Sequence, residues 1–154
     1  MTTPLDVVDR ILALANVGAN DVVYDLGSGD GRIVIAAAQK FGARGVGIDI
    51  DQARVDEATL NARRAGVDDL VHFERGDAFE ADVAAATVLT VYLSSALNVK
   101  LRPRITAQLR RGARIVSHNF GMGDWDPDTV DTFTDSTGRS RTLYLWIAEG
   151  RVRP

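Results

Sequence analysis

Three acids and three glycines carry the chemistry that can be read in this sequence: Asp25, then Gly27, Gly29 and Gly31 in the run DLGSGDG, then Asp49 and Asp77. Carboxylates accept hydrogen bonds from hydroxyl and amino groups, and glycines without a Cβ let a ligand lie against bare backbone. A dinucleotide fingerprint has the form G-x-G-x-x-G, its last glycine allowing close helix packing. Here that sixth position is Arg32, so a pyrophosphate would meet a bulky side chain and a nicotinamide dinucleotide is disfavoured. What remains is G-x-G-x-G, an acid two residues ahead of it, and a second acid about 20 residues further on, where ribose hydroxyls are bound. The pattern fits an adenosine ligand whose tail is cationic and not phosphorylated.

These residues can act together only if the elements carrying them end at one edge. Val22-Val23-Tyr24 reads as a buried parallel strand, the glycines follow at its carboxyl end, and Arg32 to Phe41 reads as the next helix. Open α/β sheets bind ligands at such strand ends. Gly45 to Ile48 is a second strand closed by Asp49; Asp51 caps a helix running to Ala65, with Val55, Ala58 and Ala62 on one face and Gly66 as its stop. Val71 to Glu74 alternates as a third strand, which carries Asp77 to the same rim. Ala86 to Leu93 is the most continuous β-branched run and reads as a central strand, with Ser94-Ser95 opening a helix through Leu109. A fifth strand over Ala113 to His118, a glycine-rich loop Asn119 to Pro127, and a hairpin of Thr129 to Thr134 with Arg141 to Ala148 complete the chain. Ahead of all this lies a leading amphipathic helix within residues 1–17, with Thr3 as cap, Pro4 in the first turn, and Leu5, Val8, Ile11 and Leu12 at helical spacing.

Composition narrows the function classes. The 154 residues suit one domain, long enough to bury about two thirds of the surface of the unfolded chain. A net charge of −3 gives no global attraction to polyanions, so a nucleic-acid partner is not expected. With no cysteine and two histidines, a thiolate or histidine metal cluster is not expected either. The opening MTTPLDVVDR lacks a basic segment followed by an apolar one, and no apolar run approaches the length of a membrane span, so the expectation is a cytoplasmic protein without membrane insertion.

The order strand, glycine loop, helix, strand and acid resembles the class I S-adenosylmethionine-dependent methyltransferases. Two later stretches, VYLSSALNVKLRPRITAQLRRGARIVSHNF and GMGDWDP, together with DLGSGDGRIVIAAA, are similar to the small protein-lysine methyltransferases whose eukaryotic relatives modify the ATP synthase c-subunit and the adenine nucleotide translocase. The likeness covers nearly the whole chain and extends, more distantly, to the nucleosomal lysine methyltransferase without a SET domain. It implies a Rossmann-like α/β domain with helices on both faces of a mostly parallel seven-stranded sheet, order 3-2-1-4-5-7-6. It implies residues 22–51 as the cofactor core and 113–148 as the terminal strands. The cofactor is then S-adenosylmethionine, with S-adenosylhomocysteine as product, held by Asp25, Gly27, Ser28, Gly29, Gly31, Asp49, Ile50, Asp77 and Ala78. In this family the position of Asp77 takes the adenine amino group, and a small Ala78 lets the ring approach. The mitochondrial members carry a membrane-targeting N-terminal segment that this sequence does not match. The Asn/Asp-Pro-Pro-Tyr motif of amino-directed methyltransferases is replaced by Val91-Tyr92-Leu93-Ser94.

Methyl transfer from a sulfonium is an in-line displacement at an activated carbon, so the protein has mainly to align donor and acceptor and exclude water. A lysine acceptor must first lose a proton, which at pH 7 corresponds to roughly 4.6 kcal/mol. Tyr92, His118 and Asn119, at the ends of the fourth and fifth strands, are the catalytic candidates, and Trp125 reads as a lid or core anchor. The leading expectation is methyl transfer to an accessible lysine of a protein substrate. The alternatives are a small-molecule or nucleic-acid acceptor, and a non-catalytic module that binds S-adenosylmethionine.

Overall fold

Helix and strand alternate through α1 (Leu5–Leu14), β1 (Val22–Leu26), α2 (Arg32–Phe41), β2 (Arg44–Asp49), α3 (Gln52–Arg64) and β3 (Val71–Arg75). Then follow β4 (Val88–Val91), α4 (Ser95–Gln108), β5 (Arg114–His118), β6 (Thr129–Thr134) and β7 (Ser140–Ile147). The computed structural model describes residues 2–154. Met1, which the expected span of the leading helix includes, lies outside them. The seven strands form one sheet in the order β3-β2-β1-β4-β5-β7-β6, as the resemblance implies. All neighbours up to β5 pair in parallel, and β7 runs antiparallel to both β5 and β6.

Register sets the functional edge. Asp25 lies opposite Gly47 on one side and Thr90 on the other, and Leu26 opposite Ile48 and Val91. The carboxyl ends of β1, β2, β4 and β5 therefore share one rim. Inward-facing side chains of both sheet faces make the core. Val23, Val88, Val116 and Leu143 pack with α1, α2 and α3 on one face, and Leu26, Ile48, Leu89, Ile115 and Trp146 pack with α4 on the other. Buried on every side from Ile33 to Ala38, α2 uses three consecutive alanines to admit its neighbours.

Local chemistry explains where the elements depart from expectation. Thr3 does not cap α1; Pro4 does, in extended backbone at ψ 149°, and its carbonyl receives Val8 N at 3.0 Å. The central strand is shorter than Ala86 to Leu93, because Ala86 closes a turn onto Val83 and Ser94 already caps α4 by accepting from Leu97 N at 3.2 Å. The connection from β3 to β4 carries no helix. Asp77 and Asp82 each accept from the amide two residues on, Phe79 N at 2.9 Å and Ala84 N at 3.0 Å, and such Asx turns compete with helix. Asp51 does cap α3, accepting from Ala53 N at 2.9 Å. Among the described residues no helix is long and apolar enough to cross a membrane.

Candidate functional site

The glycine loop is folded back across the strand ends by β2. Gly27 N and Ser28 N both donate to the carbonyl of Ile48, at 2.7 and 3.0 Å. Gly29 N donates to Asp49 Oδ2 at 2.9 Å, and Asp49 Oδ1 accepts from Asp51 N at 3.0 Å, so one carboxylate ties the loop to the start of α3. Gly31 precedes α2 at φ +85°, and a Cβ there would lie 2.6 Å from Phe73 Cζ. This residue does the close packing that the sixth position does in dinucleotide folds. Arg32 is left to reach outward, pairing with Asp30 at 2.6 Å and donating to the Thr3 carbonyl at 2.8 Å.

Around this loop the surface fits an adenosine ligand. Gly27 and Gly29 both have positive φ, and a Cβ on either would meet nothing within 4 Å, so bare backbone faces open space. Asp49 and Asp77 border one hollow together with Ile48, Ile50, Ala78 and Leu93. Ile50 leaves 65% of its surface exposed there and gives the hollow an apolar face. One oxygen of Asp77 serves its Asx turn, and both oxygens of Asp49 already hold amides; a carboxylate oxygen has a further lone pair for a hydroxyl or amino group. Ser28 is buried beneath the loop, its hydroxyl packed toward Gly47, where a Cβ would approach to 2.7 Å. It contributes backbone to the rim and not its side chain.

Asp25 is 5% exposed and accepts from Thr90 Oγ1 at 2.8 Å. Burial pushes its carboxyl up to about 7, against the Thr90 hydrogen bond and with help from Asp49 and Asp30.

The strand ends beyond it are aromatic. Tyr92, 39% exposed, stacks on buried His118 with ring centroids 4.0 Å apart, and Phe120 lies 6.4 Å from Tyr92 at a similar tilt. His118, Tyr92, Thr90 and Asp25 line one small cavity under the start of α1. Asn119 follows at φ +66°, and its side-chain oxygen accepts from Thr142 N at 3.0 Å while its own amide donates to the Thr142 carbonyl, so it extends the β5–β7 ladder. Trp125 is a core anchor, 6% exposed and tilted against Trp146, whose Nε1 donates to its carbonyl at 2.9 Å.

Several supporting residues were not singled out from sequence. Phe120 is held in place because Ser117 Oγ and Asn98 Nδ2 both donate to its carbonyl, at 2.6 and 3.2 Å. Arg141 Nη1 lies 3.2 Å from His118 Nε2 and is itself fixed by Asp135, 2.7 Å from its Nε. Asn98 and Phe120 lie 22 residues apart in sequence, and His118 and Arg141 lie 23 apart, so these pairs meet only through the tertiary fold.

Strand order, parallel connections, a glycine loop after β1 and acids closing β1 and β2 define the protein as a class I methyltransferase that uses S-adenosylmethionine. Residues 25–129 match the ANTKMT methyltransferase domain, and the chain belongs to that family. It is 40% identical to a protein-lysine N-methyltransferase of Saccharolobus islandicus, over 94% of this chain and 90% of the relative. It is 34% identical to the adenine nucleotide translocase lysine N-methyltransferase of Mus musculus over 80% of its own length, and spans about half, 53%, of that longer protein. Among solved structures, an RNA methyltransferase from Salinibacter ruber in complex with S-adenosyl-L-homocysteine superposes with a TM-score of 0.92 at 52% identity, covering 99% of this chain and 97% of that one.

Proposed function

We propose that residues 1–154 act as a single domain that transfers a methyl group from S-adenosylmethionine to a lysine side-chain amine of a protein substrate. The cofactor supplies a methyl group on a sulfonium, already activated for in-line displacement. In this reading the backbone of Gly27, Ser28, Gly29 and Gly31 and the carboxylate of Asp49 hold the ribose end, Ile50, Asp77 and Ala78 hold the base, and Asp25 faces the cationic end. Tyr92 orients the incoming amine, with His118 at the end of β5 and Asn119 just past it in support. The observation that carries the reading is the charge and texture of the rim: Asp25, Asp49 and Asp77 gather, with Asp30 paired to Arg32, at the edge that ends in the Tyr92, His118 and Phe120 rings. An acidic edge attracts a lysine and repels a phosphate backbone, and uncharged aromatic walls favour the neutral amine. The likeness to a protein-lysine N-methyltransferase over almost the full length supports the same acceptor.

A second reading, an RNA acceptor, has one specific support, the likeness to the Salinibacter ruber RNA methyltransferase. Both are tested by transfer of tritiated methyl groups to fractionated lysate, with protease or ribonuclease treatment of the labelled fraction and mass spectrometry of the acceptor. Label on lysine that ribonuclease leaves in place is expected. Label released by ribonuclease supports the second reading and overturns the first. With a lysine acceptor, kcat/KM for the acceptor at saturating S-adenosylmethionine should climb by up to about tenfold per pH unit through neutrality, because only the deprotonated amine reacts. Tyr92→Phe should lower kcat while leaving the affinity for S-adenosylhomocysteine within about twofold, since the phenol is assigned to the acceptor. Equal losses in both would make Tyr92 part of the adenosine site.

A further inference from the structure

Arg141 and Asp135 sit far from the glycine loop in sequence, and the reading above gives them no role. Their burial demands one. Asp135 is the hub of the turn between β6 and β7: its Oδ1 accepts from Thr137 N, Thr137 Oγ1 and Arg139 N at 2.8, 2.6 and 3.1 Å, and its Oδ2 accepts from Arg141 Nε at 2.7 Å. The Thr137 hydroxyl first, then Arg141 and the turn amides, hold this carboxyl far below the usual carboxylate range although the side chain is buried. Asp6 of α1 braces the same turn by accepting from Ser136 N at 2.8 Å. Arg141 is thus fixed as a buried cation, and its second reach is toward His118 Nε2 at 3.2 Å.

A guanidinium can only donate. The nitrogen it faces must therefore accept, which leaves the imidazole proton on Nδ1. We infer that Asp135 and Arg141 form a positioning pair that locks His118 as the neutral Nδ1–H tautomer, making it a flat uncharged platform for Tyr92 that cannot act as the acceptor's base. The functional part of this rests on the proposal that the Tyr92 end receives the acceptor. The groups facing His118 come from five directions: Arg141 from β7, Asp135 behind it, Thr90 from β4 with Tyr92 just past its end, Asp25 from β1, and uncharged Thr3, Ile11 and Ile33 from the α1 and α2 side. Asp25 lines the same cavity, and burial together with the fixed positive charge of Arg141 keeps the ring from taking a proton. Burial and then Arg141 lower His118 to about 4, with Asp135 pulling weakly the other way. Nδ1 finds no partner among the described residues, so the one nitrogen left over points a proton, not a lone pair, at whatever meets it.

The sequence contains two histidines, and His72 is exposed on β3, so imidazole nitrogens can be resolved by NMR in the full-length 15N-labelled protein. Wild type and Arg141→Lys should both show His118 purely as Nδ1–H with no titration from about pH 5.5 to 9. Arg141→Gln, which can accept as well as donate, should show mixed tautomers and a His118 whose titration moves up from the wild-type position but, because the ring stays buried, remains below the ordinary value of about 6.5. Its methyl transfer to the labelled lysate acceptor should then gain an acidic limb at the pH where His118 titrates in that variant, with KM for S-adenosylmethionine within about twofold of wild type. An Nε2–H signal in wild type, or a charged His118 at pH 6, overturns the lock. The wild-type and Arg141→Lys spectra decide this even where Arg141→Gln does not fold. An altered tautomer in Arg141→Gln with an unchanged pH profile of transfer overturns the positioning role, and failure to find any lysine acceptor leaves the spectral result standing on its own.

Discussion

Asp49→Ala should lose at least about a hundredfold in affinity for S-adenosylmethionine, and the same factor for S-adenosylhomocysteine. Asp49 closes β2 and uses one oxygen on Gly29 N and the other on Asp51 N, so it shapes the loop before any ligand arrives. In the proposed site its free lone pairs take the ribose hydroxyls. Alanine removes both functions. Each hydrogen bond to a charged group contributes roughly 1.5–3 kcal/mol, and losing the ribose pair with the loop tether comes to at least about 3 kcal/mol, which is two powers of ten. The loss is equal for both ligands because they share the adenosine and differ only at sulfur. Calorimetry with each ligand measures it; a loss below about threefold, or one confined to the charged ligand, removes Asp49 from the ribose site.

Much of this region was legible in the sequence because its signals are local. Asp25-Leu26-Gly27-Ser28-Gly29-Asp30-Gly31 carries its own backbone requirements, the alanine-rich run after it suits a buried helix, and Asp51 and Ser94 announce their helices by capping chemistry. The strand order followed from the resemblance. What stayed hidden depends on register across the sheet. Nothing near His118 in sequence points to Arg141, and nothing near Phe120 points to Asn98, because β5, β7 and α4 bring them together only after folding. The segment from Gly76 to Thr87 was legible only in part: Asp77 stood out as a rim acid, but that it and Asp82 both turn the chain depends on which amides their carboxylates reach. Asn119 shows the limit of residue type as a guide, since its side chain pairs with the backbone of β7.

Asp25→Asn is expected to stabilise the ligand-free protein while weakening its hold on the cofactor. The folded carboxyl titrates at about 7 and the unfolded one at 3.8, so between those values the folded chain binds more protons than the unfolded chain. Stability therefore falls as pH rises from about 4 to about 7, and the full penalty of the buried charge persists above. A displacement of this size corresponds to about 4 kcal/mol at 1.36 kcal/mol per unit. Asparagine keeps an oxygen for Thr90 but buries an amide nitrogen whose unmet donors cost about 1–3 kcal/mol, so the net gain at pH 8 should be about 1–3 kcal/mol. For a domain of this size that is a melting temperature higher by roughly 2–10 °C, and the slope of stability between pH 4 and 7 should flatten. Binding should move the other way. A cationic ligand must meet Asp25 ionised, so wild-type affinity for S-adenosylmethionine should increase as pH passes upward through 7, contrary to the constant affinity that solvent-exposed acids would give. Asp25→Asn should lower that affinity by about 2 kcal/mol, the scale of one charge pair in a partly screened site, and should lower affinity for the product, which keeps the α-ammonium but lacks the sulfonium charge, less. This asymmetry separates Asp25 from Asp49. If Asp25→Asn neither raises the melting temperature nor discriminates between the two ligands, the buried carboxyl is a structural acceptor for Thr90 and not the counter-charge of the site.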